Sequence, residues 1–497
     1  MNSVNSKKNQ FHEGQSVAVP AGQVAFLFLL LGIGYPIILA TIEHSSFSAV
    51  ILLSFDSVVG LMLCRRTQVQ LRDPSLSILG YLWLAKLGAT LFLLYVGWIP
   101  ELDPALTSRW GYDPQRYFFQ ANELVANNWS TDFISLNYTG ILYYYGAIFY
   151  AFGHNPVIPA LINAFITLIA TLYLVKVGYE IKGQRDRRDW ILAFALLLPE
   201  MLWYDVMTSR ETLMAVLLLF AMLTSGRYLA RTASISLFDV LISVGLTMII
   251  IASVRVSMLL PVVISISLMV LLIQTKRELR FSQRILLTTG AGVALMTGPV
   301  INAYIGGYDF HIDRAFHTVA PSAEYLFQIS GKDWSQNSIG MLLIPNGTLQ
   351  SILFLPLRMI LYLVSPLPNV IISASDLMSG SWAAWQKLLT MVAAVINVFL
   401  IPYVLASLVQ SIKLRKTNPA PLLLHISYWV TFASIAGGSL IIHARYRVMA
   451  LLLLWGCAWL GVRTCPKNLI YRTTLLWYGL LACGALFYIA YKSGGIA

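Results

Sequence analysis

Apolar runs of bilayer-spanning length recur from one end of the chain to the other, separated by short polar loops. They fall at about 23–41, 47–63, 76–97, 156–178, 189–206, 211–226, 236–253, 257–273, 285–304, 386–410, 421–441, 448–463 and 472–491. Each holds about 17–25 residues, enough to cross a bilayer as a helix. The pattern predicts an all-α polytopic membrane protein with about thirteen transmembrane helices. The short alternating strands of a membrane β-barrel are absent. One further apolar stretch, "SILFLPLRMILYLVSPLPNV", is interrupted by Pro356, Pro366 and Pro368. Spanning there would put the later basic loops on the wrong side, so it reads as a re-entrant or interfacial helix.

The polar loops give an orientation. Arg65, Arg66 and Arg72, then "KGQRDRRD", then Arg227 and Arg231, then "KRELR" and finally "KLRK" all fall on one side. Basic residues gather in inner loops, so this side is the cytoplasmic one. The chain then divides into an inner tail (1–22), three helices (23–98), an outer loop (99–154), a transmembrane core (155–305), a second outer region (306–385) and C-terminal helices (386–497). Composition agrees: 58% of residues are hydrophobic and 11% charged, against about 25% charged in soluble domains. The net charge of +12 is spread over inner loops, which excludes a nucleic-acid surface. Cys64, Cys457, Cys465 and Cys483 include no CxxC pair, and neither a disulfide nor a cysteine metal site is expected.

The first outer loop carries the chemistry. "GYDPQRYFFQANELVANNW" begins at Gly111 and is polar and aromatic, and "LNYTGILYYYGAIFYAFGHNP" follows. The tyrosines of the second stretch suit an amphipathic helix lying in the interface. Asp113 followed by Pro114 is also a common helix start, with the aspartate as N-cap.

In motif, order and topology this region resembles the GT-C class of membrane glycosyltransferases. The likeness is to the branch holding lipid A aminoarabinose transferases and protein O-mannosyltransferases. It rests on Asp113, Arg116, Tyr117, Glu123, Ala126, Trp129, Phe152, Gly153 and Asn155, with Glu211 beside Arg210 on the next outer hairpin and Arg445, Tyr446 and Arg447 opening a late helix. It covers about residues 76–230, and the rest in outline. The resemblance implies outer loops with short interfacial helices. It also implies transfer of a sugar, with inversion, from a polyprenyl-phosphate donor to a lipid, glycan or protein acceptor. Asp113 and Glu211 are then the catalytic acids. Arg116, Arg210, Arg445 and Arg447 hold the donor phosphate, since guanidinium forks match phosphate oxygens. Tyr117, Tyr138, Glu101 and Asp103 contact substrate.

Asp113 is expected to be the general base, its pKa raised by burial at the membrane boundary. Glu101 and Asp103 form the alternative acidic pair and could take a divalent cation through oxygen. Pro114 stands where many family members carry a second acid, so no metal or other cofactor is expected. The expected location is a bacterial inner membrane, with the site facing the periplasm and membrane lipids as neighbours. A surface-polysaccharide polymerase or ligase using lipid-linked glycans is the alternative. A flippase ranks below both, because it calls for charges within the spans, and here the charges gather at one face.

Overall fold

The computed structural model describes residues 46–96, 113–130, 139–182, 189–230, 235–272, 348–365, 374–378, 382–438 and 444–492. Among them there are helices and no strand, as an all-α membrane protein requires. The elements are α1 (Ser46–Leu71), α2 (Ile78–Val96), α3 (Asp113–Ala126), α4 (Thr139–Phe152), α5 (Val157–Lys182), α6 (Pro199–Val206), α7 (Glu211–Ala230) and α8 (Leu237–Arg255). They continue as α9 (Leu259–Leu272), α10 (Thr348–Val364), α11 (Ala374–Met378), α12 (Trp382–Leu414), α13 (Ala420–Gly438), α14 (Ala444–Thr464) and α15 (Lys467–Lys492).

Nine helical runs among the described residues are long and apolar enough to cross a membrane. The difference from about thirteen has local causes. The expected helices at 23–41 and 285–304 lie outside the described residues. The two expected over 236–253 and 257–273 form one 36-residue run. That run breaks at Arg255, whose backbone is extended (φ −162°, ψ 93°) before a single 3-10 turn. Segment 189–206 is a 3-10 helix over Asp189–Leu197 followed by α6. Pro199 explains the division: proline drives the residue before it out of the helical region, and Leu198 is extended (φ −60°, ψ 123°).

Local chemistry sets the other ends. Asp73 accepts from the Ser75 amide at 2.8 Å and starts the turn before α2. Gly153 takes φ +96° and closes α4, a conformation that favours glycine. Asn155 then accepts from the Val157 amide at 2.9 Å and opens α5. The "FGHNP" segment is thus a helix stop followed by a helix start. Trp129 packs flat on Tyr143, with ring centroids 6.1 Å apart and planes 2° apart, tying α3 to α4.

Among the described residues the bundle closes on α14, the most enclosed span, whereas α15 lies exposed at the edge. Polar contacts mark two separate ends. At one, Arg227 holds Glu180 through two bonds of 2.6 Å, Tyr179 donates to Asp73, and Asn418 donates to the Ile181 carbonyl at 3.3 Å. The described basic residues Arg72, beside Asp73, and Arg415 and Lys416, beside Asn418, adjoin this end. The other end carries Asp113, Glu211, Arg255 and Arg445.

Among the described residues the apolar part of α10 is Leu353–Val364, shorter than a span. Its C-terminus is buried in the bundle, where the last carbonyls of a helix lack intrahelical donors. Arg447 supplies them, from Nη1 to the carbonyls of Tyr362, Leu363 and Ser365 at 2.6, 2.9 and 2.9 Å.

Candidate active site

Four elements converge at the second end. Asp113 is the first residue of α3, Glu211 the first of α7, Arg445 the second of α14, and Arg255 the last of α8. Carboxylates at helix N-termini and a guanidinium at a C-terminus all suit the helix dipoles. Arg445 alone sits at the unfavourable end of its helix, and it is flanked by both acids. Its Nη1 lies 2.6 Å from Asp113 Oδ2, and its Nε lies 2.5 Å from Glu211 Oε1. Arg210 Nε stands 3.8 Å from the same Glu211 oxygen. Arg116 and Arg210 also act electrostatically on Asp113, and Arg210 and Arg255 on Glu211. The Tyr446 ring joins the group, with the Arg255 and Arg445 guanidinium carbons 4.9 and 5.7 Å from its centroid.

Four guanidiniums (Arg116, Arg210, Arg255 and Arg445) thus surround two carboxylates (Asp113 and Glu211), a local excess of positive charge. Burial pushes the Asp113 carboxyl up, but Arg445, Arg210 and Arg116 outweigh it and hold the group below the ordinary carboxylate range. This corrects the expectation of a raised pKa, which considered burial without the arginines. Tyr117 lies one turn along α3, buried, and its phenol is pushed up to about 12 by burial. It is a neutral hydrogen-bonding group at any working pH. The Asp-Pro start of α3 falls where the sequence put it, with the carboxylate directed to Arg445.

Arg447 is not part of this group. It is 1% exposed, bonds Glu200 through Nε at 3.0 Å and through Nη2, and caps α10 with Nη1. Its expected place at a donor phosphate is therefore corrected: two residues along a helix turn the side chain through about 200°, away from Arg445. Glu101, Asp103 and Tyr138 lie outside the described residues.

A buried network holds the bend between α6 and α7 that presents Arg210 and Glu211. Asn163 donates from Nδ2 to the carbonyls of Asp205 and Met207 at 3.2 and 3.1 Å. Tyr145 donates to the Ser209 carbonyl at 2.6 Å. The Asp205 carboxylate accepts from Thr212 at 2.8 Å, from Thr167 at 3.0 Å, and pairs with Lys86. Lys86, Asn163, Thr167, Asp205 and Thr212 are all fully buried. Sequence reading missed this network, and Lys86 and Arg447 with their acids show that charges do not gather at one face alone. The available signal was Lys86 itself, a lone cation inside the apolar run "LWLAKLGATLF".

Among the described residues no three His, Cys, Asp or Glu side chains converge to hold a metal ion. A scan against protein-family models and a search of curated proteins both found no match.

Proposed function

We propose that the protein is a glycosyltransferase that moves a sugar from a polyprenyl-phosphate donor to a hydroxyl-bearing lipid, glycan or protein acceptor. The carrying observation is the arginine-rich cluster in which Arg445 touches both Asp113 and Glu211. An excess of guanidinium at the polar end of a membrane bundle suits a lipid-borne phosphate. A partly exposed carboxylate beside it suits proton removal from an acceptor. In the reaction, Asp113 takes the hydroxyl proton and the acceptor oxygen attacks the anomeric carbon from the face opposite the phosphate. The bond from that carbon to the phosphate oxygen breaks, and its electron pair stays on the phosphate. Arg116, Arg210 and Arg445 hold the charge that develops there. Glu211 keeps Arg445 aligned, and Tyr117 is a substrate contact. The basic loops assign the opposite end to the cytoplasm, so this site faces outward from a bacterial inner membrane.

A surface-polysaccharide polymerase or ligase is the second reading, favoured by the arginines that hold Asp113 as a weaker base. Deletion of the gene in its host separates these activities. A transferase deletion accumulates a single sugar on polyprenyl monophosphate. A polymerase or ligase deletion accumulates a longer glycan on its lipid carrier, which would overturn the first reading.

A further inference from the structure

The two halves of the Arg445 bridge differ in kind. Glu211 is 1% exposed, so its contact with Arg445 Nε is buried. The Asp113 side chain is 30% exposed, and its contact is with the terminal nitrogen Nη1. A buried pair is costly to break, whereas a partly exposed one contributes little and exchanges readily. Glu211 Oε2 is also buried with no hydrogen-bond partner among the described residues, so an acceptor remains for a guanidinium that turns away from Asp113.

We propose that Arg445 is an exchangeable counter-ion: an incoming phosphate monoester displaces Asp113 from Nη1 while Glu211 keeps its hold on Nε. No covalent bond changes in this step; one anion replaces another on the same donor. Arg210 and Arg116 already act on Asp113 and take part of its charge when Arg445 leaves. The base is thereby masked in the empty protein and released by the substrate that needs it. That keeps a reactive carboxylate paired until donor and acceptor are both in place. Arg445 is in this sense a positioning residue for Asp113 as well as a phosphate ligand. The inference rests on the phosphate-binding half of the proposed function and not on the transfer reaction.

The asymmetry gives a test that needs no turnover. If Asp113 competes with phosphate for Nη1, removing its charge must tighten phosphate binding. Calorimetric titration of farnesyl phosphate into the purified full-length protein in detergent measures this. Farnesol controls for the apolar tail, and inorganic phosphate for the headgroup alone. Asp113→Asn is expected to bind farnesyl phosphate about three- to fivefold more tightly, the scale of a partly exposed ion pair. Arg445→Gln is expected to bind at least tenfold more weakly. Equal or weaker binding by Asp113→Asn, with Arg445→Gln still impaired, overturns the exchange but leaves the phosphate site. Unchanged binding in Arg445→Gln overturns both. Should Arg445→Gln fail to fold, Asp113→Asn still decides, because its expected change is a gain. Tightening in Asp113→Asn without any transferase activity in the wild type would uphold the exchange and remove the proposed reaction.

Discussion

Tyr145 on α4 donates its hydroxyl to the Ser209 carbonyl at 2.6 Å, reaching into the bend before Glu211. With Asn163 it satisfies carbonyls that a buried bend would otherwise leave without donors. The site's geometry therefore depends on residues that touch neither carboxylate.

Asn163→Ala removes the donor to two buried carbonyls. It should lower stability by about 1–3 kcal/mol for each acceptor left unpaired. Tyr145→Phe removes the donor to the Ser209 carbonyl and an acceptor for Asn163 Nδ2, and should cost about 1–3 kcal/mol. Thermal unfolding in detergent measures both. Equal melting temperatures for Asn163→Ala and wild type would show that water or other groups replace the amide.

The Lys86–Asp205 pair gives a sharper contrast. Lys86→Met alone strands a buried carboxylate and should destabilise the protein by about 3–5 kcal/mol. Replacing both partners, as Lys86→Met with Asp205→Leu, should recover most of that loss, since apolar residues of similar volume substitute for buried pairs. Because Asp205 also accepts from Thr212 at the start of α7, the double variant should still bind phosphate less well than wild type. A double variant no more stable than the single one would mean that the Thr167, Thr212 and Leu196 groups left without partners outweigh the removal of the buried charge.

Helix packing is tested at glycines. A Cβ on Gly461 would lie 2.1 Å from the Tyr403 carbonyl oxygen, where α14 meets α12. Gly461→Ala must separate these helices and should cost about 1–3 kcal/mol or more. At Gly245 the added carbon meets no side chain or other helix among the described residues within 4 Å, and Gly245→Ala should be neutral or slightly stabilising. Similar melting temperatures for the two variants would contradict the α12–α14 contact.

The pH profile follows from Asp113. Arg445 faces it from α14 and Arg210 from the bend, with Arg116 and Tyr117 on its own helix and Glu211 across Arg445. Its carboxyl is depressed, so the ion pair contributes stability above the ordinary aspartate pKa of about 3.9 and loses it as pH falls through the lower folded value. As a base it stays ionised over the same range. The free-enzyme profile of kcat/KM should therefore show no carboxylate limb between about pH 5 and 7. In Arg445→Gln the limb should move upward, because burial then acts with less opposition. A wild-type limb near pH 6 would assign the base to another group.

Much of this site was legible because membrane topology is. Basic loops put Asp113, Glu211, Arg255 and Arg445 on one side, and the structure brings all four together although Asp113 and Arg445 are 332 positions apart. What failed was direction and depth. Arg445 and Arg447 read as one motif, yet i and i+2 never share a helix face. Glu200 and Asp205 lie on α6, whose start at Pro199 breaks the helical period of the segment, and Asp205 finds Lys86 from 119 residues away. The depressed Asp113 was hidden for the same reason: its arginines come from three separate elements.

The central claim is that Asp113 is the base for sugar transfer. Its most direct test is transfer of labelled sugar from a polyprenyl-phosphate donor by purified wild-type and Asp113→Asn protein, with donor binding followed in parallel. Asparagine keeps the size of the side chain and caps a helix nearly as well as aspartate, so folding should change by well under about 1 kcal/mol. The account predicts a rate lower by about 10²–10⁴ with donor binding tightened. Near-normal transfer by Asp113→Asn would contradict it.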